Sequence, residues 1–186
     1  WEDGHYAKAE EWCSHYQSPQ SLLCGLGSAD EVESEWRRLK VPITKPEEAK
    51  VLLACTGLAG LDILSEQIAK QSNKEEAAKL MSVLANVRAP EAAEPILHCR
   101  LESKTPSIAR DWLATEVGNA ATGLLETAGG KGKLADAAVE YLRGVKRSEH
   151  ASFIAKQLKR IKGQPDVTAK VTRDVIDHVE KVYEPL

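Results

Sequence analysis

Apolar positions along this chain fall into a recurring five-residue figure: a small residue, two variable positions, then two bulky or apolar ones. It reads Ala49-x-x-Leu52-Leu53, Gly60-x-x-Ile63-Leu64, Ala77-x-x-Leu80-Met81 and Ala93-x-x-Ile96-Leu97. It recurs as Ala109-x-x-Trp112-Leu113, Ala121-x-x-Leu124-Leu125 and Ala138-x-x-Tyr141-Leu142, with weaker copies at Ala151-x-x-Ile154-Ala155 and Thr172-x-x-Val175-Ile176. Positions i, i+3 and i+4 share one face of a helix, so each figure marks one amphipathic helix, and its small residue lets a neighbour approach closely. Every second copy starts at 60, 93, 121 and 151 in one series, and at 77, 109, 138 and 172 in the other, in steps of 28 to 34 residues. A unit of two helices and two turns has that length. A generic bundle of similar helices is the competing arrangement. A single match carries no weight, because Ala and Leu are common; two interleaved series favour a repeat.

The pattern predicts helices near 5–16, 18–24, 29–39, 46–56, 59–71, 74–87, 90–102, 106–116, 119–128, 132–146, 149–162 and 165–182. Asn73 before Lys74-Glu75-Glu76 supplies a capping oxygen and a first turn of acids that oppose the helix dipole. Thr44 with Glu47, and Ser28 with Glu31, have capping-box spacing. Thr105 places a hydroxyl before Pro106 at a first helical position. Gly118, Gly129-Gly130, Gly132 and Gly163 fall in the breaks. The expected fold is all-α: an α-solenoid of antiparallel helical hairpins of the HEAT-like kind over 46–186, with hairpins at 59–87, 90–116, 119–146 and 149–182. Residues 1–45 depart from the period and carry Trp1, Tyr6, Trp12, Tyr16 and Trp36. They are expected to form an irregular helical capping segment or the end of a preceding domain. No segment reads as a strand.

Composition agrees. Aromatics are 5% of the 186 residues and the chain is rich in Ala, Leu, Glu and Lys, which suits helices better than sheets. The formal net charge of −3 is divided unevenly: residues 131–186 hold 12 Lys and Arg against 8 Asp and Glu, and the remainder holds 13 against 20. Cys13, Cys24, Cys55 and Cys99 have irregular spacing, unlike a small disulfide scaffold. Reduced thiols are expected, and with them a cytoplasmic location. The polar start Trp1-Glu2-Asp3-Gly4-His5 carries no secretory signal, and the chain is expected to begin inside a longer protein. Val51 to Leu64 is the longest mostly apolar stretch and contains Asp62, so no membrane insertion is expected.

Candidate chemistry is sparse. Cys13-Ser14-His15 with Cys24 lacks the second ligand pair of a structural zinc site. His98 and Cys99 are neighbours on a helix, where successive side chains diverge by about 100°, so they do not form a nucleophile and base. Gly129-Gly130-Lys131-Gly132-Lys133 has Leu134 where a phosphate loop needs Ser or Thr, and follows a helix rather than a strand. It reads as a turn, with an incidental anion site at the next helix start as the lesser alternative. Glu10-Glu11 and Glu75-Glu76 are solvated charges. No catalytic, cofactor-binding or metal-ligating residue is assigned. One basic cluster remains: Arg143, Lys146, Arg147, Lys156, Lys159, Arg160 and Lys162, opposed within that span only by Glu149. It reads either as a solvated outer face or as a patch for an anion, nucleic acid or acidic protein.

Ala89-Pro90-Glu91-Ala92-Ala93, Ala109-Arg110-Asp111-Trp112-Leu113, Gly118-Asn119-Ala120 and Gly132-Lys133-Leu134-Ala135-Asp136-Ala137-Ala138 resemble a helical-repeat segment of large bacterial proteins. Those proteins are described as molybdate-metabolism-regulator-like and WGR-associated. The likeness spans about residues 29–146, while the Trp-Gly-Arg motif itself is absent. It implies a HEAT-like fold and a bacterial origin, and carries over no catalytic residue. The expected role is a non-catalytic scaffold segment that binds protein partners or flanking domains of its own chain. A nucleic-acid- or anion-binding module using the 143–162 patch is the alternative.

Overall fold

The computed structural model of the chain describes residues 27–146, and these are all-helical, with no strand among them. The helices are α1 (Ala29–Leu39), α2 (Pro46–Thr56), α3 (Leu61–Lys70), α4 (Lys74–Leu84), α5 (Ala93–Glu102), α6 (Pro106–Thr115), α7 (Val117–Ala128) and α8 (Lys133–Lys146). Short 3-10 turns at Gly57–Gly60 and Pro90–Ala92 lead into α3 and α5. The helices expected near 5–16, 18–24, 149–162 and 165–182, and the weaker figures at Ala151 and Thr172, lie outside the described residues.

Local chemistry sets the boundaries. The Glu31 carboxylate accepts hydrogen bonds from the Ser28 backbone N–H and hydroxyl, both at 2.8 Å, which holds its pKa below the ordinary range. Asn73 accepts from the Glu75 N–H at 2.8 Å and caps α4. At α2 the expected box moves by one residue. Pro46 takes the first helical position, so Glu48 stands at N3 and accepts from the N–H groups of Thr44 (2.8 Å) and Lys45 (3.1 Å). Pro106 opens α6 as expected, but the Thr105 hydroxyl lies 3.4 Å from Ser103 Oγ and makes no cap. Gly118 lies inside the first turn of α7 rather than in the break before it. Gly57 (φ 60) and Gly132 (φ 100) do occupy turns, in the left-handed region that side chains resist.

Packing follows the five-residue figures. Among the seven copies within the described residues, every small and bulky position is buried except Leu53 and Tyr141, which are half-buried. One continuous core runs from Val32 and Trp36 on α1 to Leu142 and Val145 on α8. Consecutive helices pair as α1 with α2, α3 with α4, α5 with α6 and α7 with α8. The first members α3, α5 and α7 touch in a row, and α2, α4 and α6 touch in a second. Gly123 marks the tightest point of the first row: a Cβ there would collide with the Pro90 carbonyl oxygen and stand 2.8 Å from the Ala93 methyl.

Hydrogen bonds between pairs keep a regular stride. The turn inside one pair binds the turn inside the next: Gln71 Nε2 donates to Ile43 O at 3.1 Å, Lys104 Nζ to Ser72 O, and Lys133 Nζ to Glu102 Oε1 at 2.7 Å. These partners are 28, 32 and 31 residues apart. In the α4–α6–α8 series, Trp112 Nε1 donates to Val87 O (3.2 Å) and Tyr141 Oη to Leu113 O (2.7 Å), at separations of 25 and 28. In the α3–α5–α7 row, Cys99 Sγ lies 3.7 Å from Ser65 O, and Thr127 Oγ1 donates to Glu94 at 2.6 Å, at separations of 34 and 33.

Among the described residues, Pro46–Lys70, taken as one run of 25 residues, is long and apolar enough by length and composition to cross a membrane. Gly57 and the 3-10 turn interrupt it, and Leu52, Leu61, Ile63, Leu64 and Ile68 are buried against neighbouring helices. A core helix pair accounts for the same hydropathy.

Candidate functional site

An open cleft of about 380 Å³ lies where α8 passes the end of α6 and the start of α7. Leu113, Val117, Tyr141 and Val145 give it apolar lining, while Ala114 and Gly144 add little bulk. Arg100 and Glu140 bring a cation and a carboxylate, both exposed. The Tyr141 hydroxyl is committed to Leu113 O, and burial pushes its pKa up to about 12, so the ring contributes surface and no titration near neutral pH.

The helices that build this cleft explain its contents. Ala138 and Leu142 turn inward on α8, which places Glu140, Arg143 and Gly144 away from the core. Gly144 is unusual among these. It sits inside α8, where glycine costs about 1 kcal/mol relative to alanine, yet an added Cβ would meet none of the described residues within 4 Å.

The basic cluster overlaps this region only at its start. Arg143 is exposed on α8, and the described part of that helix runs to Lys146. Arg147, Lys156, Lys159, Arg160 and Lys162 lie outside the described residues. Lys133 of the glycine-rich turn pairs with Glu102 at 2.7 Å, and this bond holds the Glu102 pKa below the ordinary range. Its ammonium is therefore already occupied.

On the other side, carboxylates from three helices approach one another: Glu33 on α1, Asp62 and Glu66 on α3, and Glu94 on α5. The Asp62 carboxyl is raised above the ordinary Asp range, first by partial removal from water and then by Glu94. It is nonetheless exposed by surface area, so the shift reflects crowding by protein around one side of the carboxyl rather than enclosure. Arg37 opposes the effect, lying 3.2 Å from Glu33 and 3.7 Å from Glu66.

The nucleophile candidates separate. Cys99 is buried, its thiol pushed up to about 12 by desolvation and directed to Ser65 O. His98 Nδ1 is buried without a hydrogen-bond partner among the described residues. Among the described residues neither Cys55 nor Cys99 forms a disulfide. Among the described residues no group of three or more His, Cys, Asp or Glu side chains could hold a metal ion. Cys13, His15 and Cys24 lie outside these residues.

Sequence reading did not single out Arg100, Val117 or Gly144. The available signal was Gly144, a glycine inside a strongly amphipathic helix with no turn beside it. In comparisons with known proteins, no family model matches this chain, and neither a curated protein nor a solved structure matches it.

Proposed function

We propose that this chain is a HEAT-like α-solenoid segment of a larger bacterial protein, non-catalytic, which binds other proteins or flanking domains through its helical surface. The observation that carries the reading is the stride of the bonds between helix pairs, 25 to 34 residues at every step. Contacts made one unit along the sequence belong to an array whose members bury their apolar stripes against nearest neighbours. Such an array presents an extended surface rather than an enclosed pocket. The resemblance at 89–138 fits this reading, because Ala93, Ala109, Trp112, Leu113 and Ala138 are core positions.

Photo-crosslinking residues placed at exposed Ser82 and Arg110 test it in a bacterial host carrying the full-length parent. The expected result is a recurrent set of protein adducts, or adducts to flanking domains, that disappears when the fold is broken. A purified catalytic activity that maps to one residue of this segment would overturn it. The second reading, anion or nucleic-acid binding through the 143–162 cluster, predicts DNA affinity that falls steeply with salt and drops in K156E, K159E and R160E variants. Exposed Arg143 is the single described observation in its favour.

A further inference from the structure

We infer that the outer face of α2 is the docking site of the chain's own leading segment, residues 1–26, which folds back across Val51 and Leu58. The inference goes beyond the partner-binding reading, because it names a surface that the chain itself covers.

Val51 and Leu58 are the two large apolar side chains that stand exposed among the described residues, at 38% and 47%. Val51 departs from its counterparts. The position two after the small residue of the figure is exposed on each helix of this series, and it holds Lys79 on α4, Asp111 on α6 and Glu140 on α8. A valine there puts apolar surface where the others carry charge. Ala54, also exposed, follows three residues on along the same face. Leu58 stands just past the end of α2, in the 3-10 turn. Residues 27–146 leave this apolar line uncovered, so whatever covers it comes from elsewhere.

Two observations select residues 1–26. The first is where they join. Glu33 lies close to Asp62, and Arg37 pairs with Glu66 at 3.7 Å, each partner 29 residues further along, so α1 runs beside α3 in the same direction. That offset brings the start of α1 level with Leu58, and α1 touches the 3-10 turn. The leading segment therefore joins the described residues at one end of the apolar line. Residues 147–186, by contrast, continue from α8, which packs on α5 and α7.

The second observation is composition. Trp1, Tyr6, Trp12 and Tyr16 are four of the chain's nine aromatic residues, the side chains that bury the most surface. Tyr6, Ala9, Cys13 and Tyr16 are spaced three, four and three apart, as one helical face requires. Such a stripe runs about 15 Å, close to the ~16 Å of the 11 residues of α2. The ten residues between Tyr16 and Gly27 can span ~30 Å when extended, ample for the return. A link this short gives the segment a high effective concentration at the face, which favours it over a second copy.

The test is a photo-crosslink in the full chain. p-Benzoylphenylalanine replaces exposed Lys50 on α2, and irradiation of mixed unlabelled and isotopically labelled chains separates adducts within one copy from adducts between copies. The expected result is adducts to peptides of residues 1–26 in the same copy. Val51→Lys, which installs the residue type that α4 carries at this position, should speed amide hydrogen exchange in residues 1–26. The expected factor is at least ~10-fold, the scale set by re-exposing one valine, while the amides of α3 to α7 keep their protection. Adducts to residues 147–186, adducts between copies, an absence of adducts, or exchange in residues 1–26 that V51K leaves unchanged would each overturn the inference. The scaffold reading is tested separately, by the crosslinks at Ser82 and Arg110, and stands or falls on those.

Discussion

Two glycines on neighbouring helices separate the closed part of this molecule from its open part. Gly123 on α7 lies where the row of α3, α5 and α7 is tightest, with the Pro90 carbonyl occupying the space a side chain would need. Gly144 on α8 faces a cleft, and none of the described residues stands within 4 Å of its missing Cβ. One glycine is required by packing and the other weakens its helix without packing gain. The difference teaches that small residues in packed helices have two uses, and sequence alone does not tell them apart.

The row should be the fragile side. Leu97 on α5 is fully buried in the continuous core, and truncating it leaves a cavity there. Leu97→Ala is expected to cost about 2–5 kcal/mol in chemical denaturation, the largest effect of those predicted. Gly123→Ala should follow at about 1–3 kcal/mol, the usual cost of overpacking. If Gly123→Ala instead stabilised the protein, as Gly144→Ala should, the contrast between the two glycines would collapse.

A smaller effect sharpens the same contrast. Trp112 and Tyr141 each reach back to the backbone of the preceding pair, so removing only the polar atom tests the stride without creating a large cavity. Tyr141→Phe should cost about 1 kcal/mol by leaving Leu113 O without this donor. The smallest effect belongs to the acidic face. The folded Asp62 carboxyl has a raised pKa, so the native state binds more protons than the unfolded chain just above the ordinary Asp range. The penalty is therefore complete at neutral pH and relieved as pH falls through that window. Asp62→Asn should gain stability at pH 7, and the gain should vanish below the ordinary Asp pKa; a pH-independent difference in melting temperature would count against it.

Much of the helical layout was legible in the sequence because it depends on local rules. The bounds of α1 and α2 follow from Ser28 with Glu31 and from Pro46, and the buried triplets follow from the spacing i, i+3, i+4. Where the reading slipped, a neighbouring residue had a stronger claim. Glu48 rather than Glu47 reaches back at α2 because Pro46 fixes the start, and Gly118 enters α7 because a glycine tolerates a first helical turn. The figure also overstated burial at Tyr141, which is half-buried with its hydroxyl donating to Leu113 O. The cleft was not legible, because Arg100, Val117 and Gly144 belong to three different helices and meet only through packing.

The central claim is that the helix pairs advance in one direction, each contacting its neighbours. Its most direct test is a set of distances between spin labels carried on unnatural amino acids at exposed Lys45, Ser107 and Lys131, which lie in or beside the turns inside the first, third and fourth pairs. With helix rows spaced by 8–10 Å per step, pulsed electron paramagnetic resonance should give about 20 Å between 45 and 107, and about 30 Å between 45 and 131. A distance from 45 to 131 no longer than that from 45 to 107 would mean the helices close into a bundle, and would contradict the account.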